Sequence, residues 1–391
     1  MGEPIKKITI EGFKSIRSLK DFELRPLNVL IGANGAGKSN FVGFFGLLRE
    51  LVHQRLQLAV VKRGGADAVL HFGPKGTKRL NVTVEFGDCA YEFVLEPTED
   101  NRLVFGSEMT TVIKDGLPTT MSYGSGQNES EIEDYIDRPI MLTPFYTSRA
   151  IFESVSNCLI YHFDDTSETA GVRRWGAIND NEYLRPDAAN LAAFLFRLQS
   201  TDSSAYAKIR DAVGLTAPFF DDFKLRPIPQ SPEMIQLEWT QKGSDYPFRP
   251  SQLSDGTLRF ICLATALLQP SGPSVMLFDE PELGLHPYAL NLLAALFQQA
   301  SISVGAAVGR QVIISTQSAA LVDEFAPEDV VVVERAHGES TFWRLDAAPL
   351  VDWLKEYSLG ELWLKNILGG RPQSDATAIP QESFSDRGDK K

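Results

Sequence analysis

The spacing of hydrophobic residues changes period several times along this chain. Ile5-Lys6-Lys7-Ile8-Thr9-Ile10 alternates as a half-buried strand does, and Leu27-Asn28-Val29-Leu30-Ile31 is apolar enough for a buried strand. From Ser39 to Leu51 the period lengthens to that of a helix, with Phe41, Phe44, Phe45, Leu47 and Leu48 as its apolar stripe. Short alternating runs follow from Arg79 to Ile113, among them Leu80-Asn81-Val82-Thr83-Val84-Glu85-Phe86. They predict antiparallel strands turning at Gly87-Asp88 and at Glu99-Asp100-Asn101. The Gly-, Ser- and Thr-rich stretch from Gly116 to Ser130 predicts a mobile loop. Residues 131–222 read as mostly helical, including a capped helix from Asp187 to Gln199 whose apolar face is Leu191, Phe194, Leu195 and Leu198. Strand-then-helix alternation returns at Glu233 and runs to Gly369, and the polar, Pro- and Ser-rich residues from Arg371 on predict a disordered tail. Neither a heptad run nor an internal repeat is visible.

These elements outline one α/β domain in two halves, 1–113 and 233–370, separated by a mixed, mostly helical insertion, 114–232, and followed by the tail, 371–391. The composition is that of an ordinary soluble protein, and no apolar run reaches the length of a membrane helix. No apolar leader core follows Lys6 and Lys7, so the expected address is the cytoplasm, with no membrane partner. Cys89, Cys158 and Cys262 lie far apart, which indicates neither a disulfide framework nor a zinc site. The formal charge of −13 argues against autonomous nucleic-acid binding, because phosphate contacts call for a basic face. Arg173, Arg174, Arg185 and Arg197 are expected to be scattered, solvated charges.

The first chemical signal is Gly32-Ala33-Asn34-Gly35-Ala36-Gly37-Lys38-Ser39, a G-x-x-x-x-G-K-[ST] motif between a predicted strand and a predicted helix. Its glycines let backbone N–H groups wrap phosphates, and the helix N-terminus adds partial positive charge. Lys38 would reach the β- and γ-phosphates, and the Ser39 hydroxyl would ligate Mg²⁺. A second signal is Val275-Met276-Leu277-Phe278-Asp279-Glu280, an apolar strand ending in two acids. Alone it reads equally as a solvated acid pair; after a P-loop, Asp279 is expected to hold Mg²⁺ and Glu280 to orient or deprotonate the attacking water. The third is Leu253-Ser254-Asp255-Gly256-Thr257 opening an apolar helix, where Ser254 could equally be a plain N-cap. Its position, 279 − 254 = 25 residues before Asp279, favours a phosphate-facing role.

With Pro281-Glu282-Leu283-Gly284-Leu285-His286-Pro287 after the acid pair, the chain resembles the ABC-type ATPases of the SMC–RecF–OLD group, and within it the stand-alone AAA-type predicted ATPases. Gly12-Phe13-Lys14-Ser15 near the start and Tyr357-Ser358-Leu359-Gly360-Glu361-Leu362-Trp363 near the end extend the likeness over nearly the whole length. The resemblance implies an ABC-type P-loop ATPase head, a mixed sheet with flanking helices plus an antiparallel β subdomain, that uses ATP and Mg²⁺. It implies that Lys14, Ser15, Gly32, Asn34, Gly35, Ala36, Gly37, Lys38, Ser39 and Asn40 surround the nucleotide. It also implies a head-to-tail homodimer, open to higher assembly, in which Ser254, Asp255 and Gly256 act in trans on the other copy's ATP. Glu280 and Gln317 are the implied catalytic residues, with Ser39 and Asp279 on the metal.

Three departures qualify the likeness. Asp255 stands where transporter signatures have glycine; Gln317 stands where many relatives have His and cannot become cationic, which predicts slow turnover; and no residue in 131–160 serves as a glutamine loop. His286 and His337 lack clustered ligands, so neither is expected to bind metal or act in catalysis, and His286 is expected at the dimer seam. Trp343, Trp353, Tyr357 and Trp363 are expected to be buried. Similarity to OLD- and Septu-like systems implies a dimeric ATP switch that controls a separately encoded effector, a nuclease, in phage defence or DNA metabolism. The alternatives are a RecF-like repair ATPase that binds DNA directly, a weakly hydrolysing nucleotide-binding scaffold, and the ATPase of a transporter, which the signature and the β-rich segment oppose.

Overall fold

The computed structural model describes residues 2–114, 116–136, 143–302 and 309–370, with 143–146 as backbone alone. The expected tail from Arg371 on lies outside the described residues. The chain forms two compact units, Met1–Ser156 with Ser315–Lys391, and Asn157–Ile314.

The first unit opens with β1 (Ile5–Phe13), β2 (Ile16–Glu23) and β3 (Leu27–Ile31), then α1 (Lys38–Val52), α2 (Leu56–Lys62) and the short turns α3 (Ala66–Val69) and α4 (Gly73–Gly76). Four strands follow, β4 (Leu80–Phe86), β5 (Cys89–Pro97), β6 (Leu103–Lys114) and β7 (Leu117–Gly124), before α5 (Thr143–Ser156). These make an antiparallel sheet in the order β2-β1-β4-β5-β6-β7. Alternation decides its faces: along β4 every second residue from Leu80 to Phe86 is buried. Helix α1 buries its apolar stripe in an aromatic cluster, with Phe44 edge-on to Phe13 and Phe41 against Phe45 and Phe342.

In the second unit come β8 (Cys158–Tyr161), β9 (Gly176–Ala177), α6 (Leu191–Thr201), α7 (Ser203–Thr216), and the short strands β10 (Phe220–Lys224), β11 (Pro227–Ile228), β12 (Ser231–Ile235) and β13 (Glu238–Gln241). They lead to α8 (Asp255–Leu268), β14 (Val275–Asp279), α9 (Pro287–Ser301) and β15 (Gln311–Thr316), within which this unit ends. Strands β14 and β8 are parallel neighbours, with Phe278 opposite Tyr161 and the two rings stacked. The chain then returns to the first unit through α10 (Ala319–Val322), β16 (Val330–Ala336), β17 (Glu339–Arg344) and α11 (Leu359–Leu364). Strand β16 runs parallel to β3 and antiparallel to β17, so this sheet is mixed.

Several expectations change. The stretch expected as a loop, Gly116 to Ser130, contains β7, paired with β6 from Met109 to Lys114. Its threonines read as loop composition, but on the outward face of an edge strand nothing apolar is needed and Thr suits the strand. Strand β2 went unrecognised, because its pattern buries only Ile16 and Leu19. Residues 157–190 are largely irregular rather than helical, and the insertion expected over 114–232 is shared between the two units at Ser156. The helix expected from Asp187 begins at Leu191: the Asp187 carboxylate accepts from Ala189 N in a preceding turn, and Asn190 holds Arg185 N and two carbonyls.

One buried polar network ties the first unit's sheet to its surroundings. Glu108 on β6 is fully buried and accepts from Tyr91 Oη at 2.6 Å, from Ser130 Oγ and from Glu131 N at 3.1 Å. Burial raises its carboxyl pKa, and these hydrogen bonds only partly offset that.

Candidate nucleotide site

The P-loop residues lie in the first unit. The strand β3 delivers Gly32 to a turn, and Gly37 caps α1 in a left-handed conformation at φ 117. A methyl group on Gly32 would collide with Val333 O, and one on Gly37 with Ser340 Oγ, so both positions exclude a side chain by contact. No side chain caps α1 and no acid sits in its first turn. The helix dipole favours an anion at this end. Lys38 is buried, and Nζ donates to the carbonyls of Gly32 at 2.7 Å and Ala33 at 3.1 Å. Ser39 is exposed beside it, and Asn34 and Gly35 are exposed at the tip of the loop. These features fit a bound polyphosphate: an uncapped helix start, a glycine cradle and a lysine that can swing outward from the loop's own carbonyls.

Around the loop runs a hydroxyl relay. Asn40 Nδ2 donates to Ser15 Oγ at 2.7 Å, and Ser15 Oγ lies 2.8 Å from Ser340 Oγ. Ser340 Oγ also lies 2.5 Å from Ala36 O, which can only accept, so the Ser340 hydroxyl is the donor there. Lys14, in the tight β1–β2 turn at φ 46, has its pKa lowered by burial and then by the charge of Arg63. His71 Nδ1 lies 2.6 Å from Lys14 O and must carry the proton there, since a carbonyl only accepts. On the opposite flank Ala33 N donates to Gly370 O at 2.8 Å, Gly370 N donates to Glu334 at 2.6 Å, and Arg335 donates to Gly35 O at 3.3 Å. Gln317 is exposed just past the end of β15.

The acid pair and the signature lie in the second unit. Asp279 ends β14 half-buried, and Glu280 follows in the left-handed region at φ 48, a conformation uncommon for a non-glycine residue. A cavity of about 20 Å³, room for one water, is lined by both acids with Phe163, Asp164 and Arg259. Ser254 caps α8 by accepting from Thr257 N at 3.1 Å, and Ser254 and Asp255 are exposed. Gly256 meets the backbone of Gly284 so closely that a methyl group there would strike Gly284 O.

Two arginines hold this half in place. Arg259 donates to Phe163 O and Asp164 O at 2.9 Å each and to Leu283 O, joining the end of β8, the start of α8 and the loop after the acid pair. Arg173, expected as a solvated charge, is instead buried. It donates to Thr166 O at 2.7 Å, to Pro250 O and to the Asp255 carboxylate at 2.7 Å. Backbone carbonyls, invisible in a charge pattern, recruit it. His286 is the N-cap of α9, accepting from Tyr288 N at 3.2 Å.

Solved structures share this fold. The head domain described as SmcHead bound to the C-winged helix domain of ScpA matches with a TM-score of 0.55 and 16% identity, over 89% of this chain and 99% of that one. The chain has the fold of an ABC-type, SMC-like P-loop ATPase head. The SMC head with an extended coiled coil bound to the C-terminal domain of ScpA, from Pyrococcus furiosus, matches at 0.52 and 16% identity over 90% and 98%. Residues 161–323 of the chain also match the family described as "AAA domain, putative AbiEii toxin, Type IV TA system". Comparison with curated proteins finds no match. Among the described residues of the head, no helix is long and apolar enough to cross a membrane.

What was missed in this head are the supports: Ser340, Arg259, His71 and Gly370, whose partners lie far along the chain. Of the aromatics expected to be buried, Trp363 is, whereas Trp353 is 46% exposed. It sits on a single 3₁₀ turn, too short to present an inner face.

Proposed function

We propose that this head binds and hydrolyses ATP as a head-to-tail dimer and acts as a switch on a separately encoded effector, a nuclease, in phage defence or DNA metabolism. The observation that carries the dimer is the exposed start of α8: Ser254 and Asp255 face solvent on a helix held by Arg173 and Arg259, ready for phosphates held by another copy. Within one copy, Lys38 turns from the Gly32 and Ala33 carbonyls to the β- and γ-phosphates, while the N–H groups of the loop and of α1 take the phosphate oxygens. Ser39 and Asp279 would hold Mg²⁺, whose charge would offset that of the phosphates. Glu280 orients the attacking water and accepts its proton, and Gln317 hydrogen-bonds water or phosphate without becoming cationic.

Support for an effector in trans comes from the related heads, two of which are described as bound to the C-terminal part of ScpA. The defence setting rests on the family description, which names a toxin and a type IV toxin–antitoxin system. Gln317 favours one second reading, a head that hydrolyses slowly and works mainly as a nucleotide-dependent scaffold.

The test compares wild type with Glu280→Gln in turnover and in mass by light scattering, with and without ATP. Turnover should fall by about 10²- to 10⁴-fold, the usual worth of a general base, while an ATP-bound dimer accumulates. A wild type that binds ATP as a monomer, with unchanged turnover in the variant, would defeat the switch.

A further inference from the structure

A cavity of about 520 Å³ opens in the second unit, a size suited to a small-molecule ligand. It shares no lining residue with the cavity at the acid pair, and none of Ser254, Asp255 and Gly256 lines it. Its walls come from the turn that carries Arg173, from Trp175 just before β9, from β11 and its turn into β12, and from Arg249 and Pro250 ahead of α8. Pro227, Pro229 and Pro250 stiffen these walls and offer no N–H at their positions, which leaves recognition largely to side chains.

Two of those side chains are set out for a ligand. Trp175 is 57% exposed, yet its indole is fixed, because Nε1 donates to Gln236 Oε1 at 3.0 Å. With the N–H so used, Trp175 offers the cavity carbon surface, which suits a flat ring. Arg249 is exposed, but its backbone is pinned on both sides: its N donates to Gln252 Oε1 at 2.8 Å, and its O accepts from the buried Trp239 at 3.3 Å. Three arginines and two glutamates line the cavity. Arg226 is paired with Glu238 at 3.0 Å and Arg173 with Asp255 at 2.7 Å. Among the described residues no carboxylate, Glu168 included, lies within ion-pair distance of Arg249. One fixed cation is therefore left to meet an anion, in a chain whose formal charge is −13.

Arg173 ties this cavity to the signature. Its buried guanidinium donates to Pro250 O and to the Asp255 carboxylate, and its own carbonyl accepts from Gln236 Nε2 at 2.8 Å. Hydrogen bonds thus run from Trp175 through Gln236 and Arg173 to the first residue of α8. We infer that this cavity is a regulatory site for a small aromatic anion, a flat ring bearing one carboxylate or phosphate group, whose occupancy reaches the signature through Gln236 and Arg173. The ring lies on Trp175 and the acidic group on Arg249. Binding there stands apart from the ATPase reading, and only its effect on turnover rests on that reading.

The test is titration calorimetry of the full chain carrying Lys38→Ala, which weakens phosphate binding at the P-loop. The probes are 2-naphthoate and AMP, each against its ringless counterpart, acetate and inorganic phosphate. A ring probe should bind about tenfold more tightly than its counterpart, and the better of the two tells a carboxylate ligand from a phosphate one. Trp175→Ala and Arg249→Ala should each weaken it by about tenfold, while Trp175→Phe keeps most of the binding, with thermal melts as a control for folding. Saturating probe should slow amide exchange at residues 253–258 of the wild type and change its ATP turnover. The site is overturned if neither ring probe binds, if the ringless anions bind as tightly, or if Trp175→Ala and Arg249→Ala bind as their parent does. Binding that leaves exchange at 253–258 unchanged overturns the regulatory link. A wild type that hydrolyses no ATP overturns the ATPase reading instead, and calorimetry and exchange still decide this site.

Discussion

The P-loop and the acid-pair half of this head are built on opposite principles. Around Gly32 to Ser39 the proposed phosphate contacts come from backbone N–H groups, and the glycines at 32 and 37 are there because Val333 O and Ser340 Oγ come too close for anything larger. Around Asp279, Glu280 and Ser254 the proposed roles fall to side chains, beside Arg259 and Arg173, which are anchored on carbonyls up to 96 residues away. A site made of backbone tolerates little change in shape but much in chemistry beside it. One made of side chains depends on distant clamps, so substitutions that never touch the reacting atoms can disable it.

That contrast can be pressed by substitution. The largest effect is expected from Gly37→Ala. A left-handed Ala costs about 1–2 kcal/mol before its collision with Ser340 is counted, so ATP binding should weaken by about 100-fold, measured by titration calorimetry. Unchanged affinity would mean the cradle does not depend on that contact. Next is Arg259→Ala, which strips the donor from three carbonyls. It should cost about 2 kcal/mol in denaturant unfolding and reduce turnover while nucleotide affinity stays near wild type. Equal loss of affinity and turnover would erase the distinction between the two halves.

The smallest effect concerns Glu108. Its folded pKa is raised by burial, so between the ordinary carboxylate value and that raised value the folded state binds the more protons. Stability should therefore fall as pH rises through that window, and Glu108→Gln should flatten the slope. An unchanged slope would place the titration elsewhere.

How much of this was readable in the sequence follows from the same difference. The glycine spacing of the P-loop, the β14 strand ending in Asp279 and Glu280, and the alternation of β4 to β6 are local patterns, and a local pattern survives in one dimension. Ser340 meets Ser15 across 325 residues and Arg173 meets Asp255 across 82, and neither pair leaves a periodic trace. Strand β7 escaped because an exposed edge needs no alternation. Helix α6 was misplaced at its start because an Asx turn at Asp187 imitates a cap.

The relay from Asn40 through Ser15 and Ser340 to Ala36 also has a consequence for how the molecule comes into being. Synthesis runs from the N-terminus, so the phosphate loop leaves the ribosome long before the strand that supports it. At roughly 5–20 residues per second, roughly a quarter of a minute to a minute passes between Ser39 and Ser340. Until then Ala36 O lacks its donor and Gly37 its neighbour. A nascent chain therefore carries the complete motif without its brace, and the braced shape of the loop waits for β17 to be made.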